Sequence, residues 1–70
     1  MDRTPVKSGL IKSVGYENGT LEVEFLRGGN VYQYTEVSPE KANDFVNAPS
    51  VGKYFLANIK DKFPTTKATP

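Results

Sequence analysis

Histidine and cysteine are both absent from this 70-residue chain, and so is tryptophan. Without cysteine there is neither a disulfide framework nor a thiolate metal site, and without histidine the commonest metal ligand and general base is missing as well. A nucleophile would have to be a serine or threonine with lysine as base, or two carboxylates would have to share acid–base work, and neither constellation is visible. Glu22 and Glu24 alternate along one strand, but a solvated sheet face produces such pairs routinely. The expectation is a protein without catalytic residues, cofactor or metal. Long apolar runs are lacking too: MDRTPVKSGL has none of signal-peptide length, and nowhere do the ~20 apolar residues of a membrane span occur together. A cytoplasmic protein is the default. Nor is there an excess of one charge: nine basic against eight acidic residues leave a net charge of +1, short of the basic balance of a dedicated nucleic-acid binder. The charges are unevenly spread, with Glu22, Glu24, Glu36, Glu40 and Asp44 in the middle of the chain and Lys53, Lys60, Lys62 and Lys67 in its last third.

What is present is organised around the stretch from Thr20 to Thr35. Leu21, Val23 and Phe25 recur at period two, and Tyr32 and Tyr34 repeat the pattern after a turn region, LRGGN, which reads as a half-buried β-hairpin. A turn centred on Gly28 and Gly29 places Leu26 opposite Val31, Phe25 opposite Tyr32 and Val23 opposite Tyr34. The last four side chains then share the core face. The other face carries Glu22, Glu24, Gln33 and Thr35, with Leu26 and Val31 as an apolar pair near the tip. Upstream, Leu10 to Tyr16 reads as a first strand, and Asn18-Gly19 supplies the positive φ angles of a type I′ turn. That turn pairs Tyr16 with Leu21 and Val14 with Val23, on the same core face. Ile11 falls out of the alternation: either a bulge near Lys12 and Ser13, the favoured reading, turns it inward, or it lies under the incoming chain.

After Thr35 the pattern changes to helix. Ser38 is a cap, Pro39 stands where its missing N–H costs nothing, and Val37 with Ala42 has the spacing of a hydrophobic staple. This first helix presents Ala42, Phe45 and Val46 to one side and stops at Pro49. A second starts at Ser50, with Val51, Tyr54, Phe55 and Ile59 as its apolar stripe. The fold class is therefore α+β: a three-stranded antiparallel meander with two short C-terminal helices packed on its tyrosine face. Residues 1–9 read as a flexible lead-in, 10–64 as a single domain and 65–70 as a flexible tail. At this length only ~60 % of the chain's surface can be buried, so stability is expected to be marginal.

Two groups of residues are candidates for binding. The first is the helix start Ser50-Val51-Gly52-Lys53-Tyr54, where free N–H groups and a glycine can receive an anion and Lys53, Asn58, Lys60 and Lys62 can continue a phosphate track. Its bland counterpart is a capped helix with solvated lysines. The second is the strand Tyr32-Gln33-Tyr34, whose alternating aromatics would suit base stacking if their face were open. The register argument closes that face, so core is the stronger assignment for both tyrosines.

With these residues identified, the chain resembles the KTSC domain family, named for its occurrence at the C-terminus of some lysyl-tRNA synthetases and found also as small bacterial and phage proteins. The resemblance runs from about Ile11 to Pro64. It is carried by Val14-Gly15-Tyr16, Leu21-x-Val23-x-Phe25, Tyr32-x-Tyr34, Val37, Ala48-Pro49-Ser50, Gly52-Lys53-Tyr54-Phe55, Asn58-Ile59-Lys60 and Phe63-Pro64. A chain of this length has no room for a synthetase, so the resemblance implies the stand-alone form. It also implies RNA as a partner, by association with a tRNA-handling enzyme. The functional expectation is a non-catalytic module that binds RNA through the helix surface of Ser50, Gly52, Lys53, Asn58, Lys60 and Lys62. The alternative is a protein-interaction module, including weak homo-oligomerisation or a phage-encoded partner-binding role, using Leu26 and Val31 on the outer sheet face or an edge strand.

Overall fold

The structure, a computed structural model, describes residues 2–68. Met1 of the expected lead-in and residues 69–70 of the expected tail lie outside them. One antiparallel sheet runs through the molecule in the order β1 (Thr4–Pro5), β2 (Ile11–Glu17), β3 (Thr20–Phe25), β4 (Val31–Tyr34) and β5 (Thr65–Lys67). Five strands thus replace the expected three. The extra two are edge strands of two and three residues, drawn from the stretches read as lead-in and tail. Neither has an apolar alternation of its own, because each is held by pairing with a longer neighbour: Thr4 with Val14, and Thr65 with Tyr34.

The first hairpin forms as its turn chemistry requires. Asn18 and Gly19 have φ of 49° and 81°, the left-handed pair of a type I′ turn, and set Tyr16 opposite Leu21 and Val14 opposite Val23. The pairing shifts between Ile11 and Ser13, a bulge that turns Ile11 into the core, where it is fully buried. The second hairpin keeps its faces but not its partners. Val23 stands opposite Tyr32 and Leu21 opposite Tyr34, two residues displaced from the expected register. The cause is at the tip: the Phe25 N–H donates to the Asn30 carbonyl, while the Leu26 N–H donates to Leu10 beside β2. Leu26 has therefore left β3, and a slip of two leaves every side chain on its original face. Leu26 does not face Val31, which is buried opposite Glu24.

Helix α1 (Pro39–Val46) begins as expected, with the Ser38 hydroxyl accepting from the Lys41 N–H at 3.1 Å and both Val37 and Ala42 buried. Val46, expected on the buried side, is instead 42 % exposed. Helix α2 (Val51–Tyr54) runs directly into a π-helical turn, Phe55–Ile59, closed by the Lys60 N–H on the Phe55 carbonyl at 2.9 Å. Val51, Phe55 and Ile59 are buried. Both helices lie on the tyrosine face, where the Phe55 ring meets Tyr34 and Phe25 edge-on at 5.6 and 5.3 Å and lies tilted to Phe45 at 6.3 Å. These ring contacts join sheet to helices in one core.

The outer face of the sheet is polar and closely bonded. Arg3, just ahead of β1, donates to Glu22 at 2.6 Å and to the Ser13 hydroxyl at 3.1 Å; Ser13 in turn donates to Glu24 and Gln33 to Glu22. The neighbouring carboxylates read as solvated are thus tied into a network by a residue of the lead-in, and Glu22 is buried. Burial pushes the Glu22 carboxyl up, but the hydrogen bonds from Gln33 and Arg3 outweigh it and hold the group below its ordinary value.

Candidate functional site

The tyrosine face is not wholly covered. Between strands β3 to β5 and the π-helical turn lies an open cleft of about 380 Å³ with four aromatic side chains in its wall. The sheet contributes Phe25, Tyr32 and Tyr34, whose alternation brings them to one face, and the helical layer contributes Phe55 and Leu56. Tyr34 and Phe55 form the buried floor. Phe25 and Tyr32 are half-buried and lie edge to face with ring centres 5.8 Å apart. Of the two tyrosines assigned to the core, Tyr34 is buried in it and Tyr32 is half-buried against it, at the opening of the cleft.

Lys60 and Asp61, at the end of the helical layer, stand on the rim, with Thr65 of β5 beside them. Neither Lys60 nor Asp61 has a side-chain hydrogen bond or ion pair among the described residues. The register of β4 and β5 sets Lys67 opposite Tyr32, and directly paired residues present their side chains on the same face. A second ammonium is thereby placed on the aromatic side of the sheet. The Tyr34 hydroxyl is pushed up to about 12 by burial first, then by Tyr32 and the negative charge of Asp61. It stays protonated at neutral pH, a donor as well as an acceptor.

The six residues expected to bind an anion do not converge. Gly52 leaves room for the chain's own lead-in rather than for a ligand: a methyl group there would lie 3.1 Å from the Ser8 hydroxyl and 3.5 Å from Leu10. The Ser50 hydroxyl accepts from the Lys53 N–H at 3.3 Å, and the Asn58 amide donates to the Tyr54 carbonyl at 3.4 Å. Lys53 and Lys62 are exposed. Lys60 alone of the six lines the cleft, and Lys53 lies about two helical turns from it, ~10 Å along the axis. Of the alternative pair, Leu26 is 49 % exposed and Val31 is buried, so they form no shared patch. Residues of the site that sequence reasoning passed over are Phe25, Leu56, Asp61, Thr65 and Lys67. Thr65-Thr66 offered a weak β-branched strand signal after Pro64; nothing local marked Asp61.

No helix among the described residues is long and apolar enough to cross a membrane. The family model of the KTSC domain matches residues 7–63. A lysine–tRNA ligase of Nostoc punctiforme is 42 % identical over 59 residues, which is 81 % of this chain but 10 % of that enzyme, so the chain spans about a tenth of its length. An uncharacterised protein of Stutzerimonas stutzeri is 39 % identical over 57 residues, 79 % of either chain. Among solved structures, that of a KTSC domain protein from Yersinia pestis superposes with a TM-score of 0.92 at 38 % identity and covers 97 % of both chains. With a family match over most of its length and the same fold in a relative of like size, this chain belongs to the KTSC domain family.

Proposed function

We propose that this protein is a non-catalytic binding module for single-stranded RNA, with a base held in the aromatic cleft and the adjoining phosphates met by Lys60 and Lys67. One observation carries the reading: two half-buried aromatic rings, Phe25 and Tyr32, open into a cleft whose rim bears Lys60, a lysine with no ion pair among the described residues. Aromatic side chains on which bases can stack, beside ammonium groups, are what sequence-tolerant single-strand recognition uses, since every base has a π face and every nucleotide a phosphate. Lys53 and Lys62 extend the basic surface along the helical layer. The similarity of a segment of a lysine–tRNA ligase supports an RNA setting by association.

The test is titration with labelled single-stranded oligoribonucleotides at several salt concentrations. Tyr32→Ala should weaken every complex by the loss of one stacking platform, about 1–3 kcal/mol. Lys60→Glu should flatten the salt dependence, since each lost phosphate contact removes about 0.7 from the log–log slope. Thermal stability of Lys60→Glu should change by no more than about 0.5 kcal/mol. A parent protein that binds no RNA at low salt would sink this reading. In that event the exposed Leu56 in the cleft, the exposed Leu26 and the edge position of β5 favour a protein-interaction module.

A further inference from the structure

Resting on the reading of the cleft as an RNA site, we infer that it selects guanine, with the Asp61 carboxylate accepting from the base's N1–H and N2 amino group while the base stacks on the Tyr32 ring and meets Phe25 edge-on. The rim presents an acceptor and a donor from adjacent residues, Asp61 and Lys60, and both are exposed and without a side-chain hydrogen bond or ion pair among the described residues. An ionised carboxylate is an acceptor with two oxygens. Of the four bases only guanine carries two donors side by side on its pairing edge, and its neighbouring O6 is an acceptor for an ammonium. Adenine and cytosine offer one exocyclic amino group each, and uracil one ring N–H, so each leaves one carboxylate oxygen without a partner.

The position of Asp61 agrees with this role. Its backbone φ of 61° is left-handed, a conformation that Asp and Asn tolerate better than most residues. Asp61 lines the same cleft as Tyr34 and Tyr32. An arginine side chain of a protein partner would share the aromatic wall and the carboxylate. It would also bring a third positive charge between Lys60 and Lys67, whereas a guanine nucleotide brings phosphate to them.

Four labelled uridine-rich octaribonucleotides, differing only in a central G, A, C or U, would be titrated against the parent protein and Asp61→Asn. The parent should bind the G-containing strand on the order of tenfold more tightly than the other three, as a bidentate base contact provides. Asp61→Asn, which keeps the left-handed backbone available, should lose that preference and retain its affinity for the other strands. Two further strands test the contact without altering the protein: inosine, which lacks the N2 amino group, should bind several-fold more weakly than guanosine, and N1-methylguanosine should show no preference. Equal affinity for all four bases, or a guanine preference that survives Asp61→Asn and N1 methylation, would overturn the guanine assignment and leave the RNA reading in place. Absence of binding to any strand at low salt removes both. Displacement of the G-containing strand by millimolar arginine amide but not by lysine amide would overturn the inference in favour of a protein side chain.

Discussion

At the scale of single residues, the side chains that act on their own backbone were the legible ones. Ser38 and Ser50 cap helices, and Asn18 with Gly19 makes the turn, because these roles depend on atoms within a few positions. Glu22 was not legible in the same way. Its carboxylate is buried under a network completed by Arg3, nineteen positions upstream, so its character depends on a strand that the pattern did not announce. Tyr34 has a testable signature of its burial. Its folded value of about 12 lies above the ordinary value of 10. A group raised in the folded state contributes stability in full below its unfolded value and loses it as pH rises through the folded one. Stability should therefore fall between about pH 10 and 12 by an amount that Tyr34→Phe removes. Urea midpoints of the two proteins across that window check it: lysines titrate in both, so the difference between them isolates Tyr34.

Elements were readable in proportion to how much of their own pattern they carry. Strands β2 and β3 have alternation and a strong turn between them, and the pairs nearest that turn, Tyr16 with Leu21 and Val14 with Val23, were recoverable, while the shift at Ile11 was one of two readings. The β3–β4 hairpin has the same alternation but a permissive tip, and the competing bond from Leu26 to Leu10 moved its partners by two. Strands β1 and β5 carry too few residues for any period to show. Helix α2 illustrates how an element's chemistry can mislead. Its glycine suggested close approach by an anion, whereas the approach is by Ser8 and Leu10. The consequence for Gly52→Ala has a definite sign. Helix propensity alone would give a gain of about 1 kcal/mol. The new methyl, however, would press on a Ser8 hydroxyl already accepting from the Leu10 and Ile11 N–H groups at 3.1 and 3.2 Å. A pinned neighbour yields poorly, so the variant should be less stable than the parent by denaturant melt. A more stable Gly52→Ala would show that the lead-in lies off the helix in solution.

For the molecule as a whole, the segregation of charge was visible in the sequence, but its meaning changed once the strands were placed. Glu22 and Glu24 of the acidic middle face Arg3 across the outer surface, while Lys60 and Lys67 of the basic end stand on the aromatic side. The cleft itself was not legible, since it exists only because β5 returns beside β4 and brings Thr65 to its wall. Strands β1 and β5 are the two outermost members of one sheet, and this bears on how the protein can be handled. Four inter-strand spacings of about 4.8 Å set the two margins roughly 19 Å apart. A dye or surface linker attached ahead of β1 therefore departs on the far margin, clear of the aromatic opening, while one attached beyond β5 hangs directly beside it. On the proposed RNA reading, immobilisation by the front end should leave the RNA affinity as in free solution; immobilisation by the rear should weaken it, with a slower association rate, and cutting the linker should restore it.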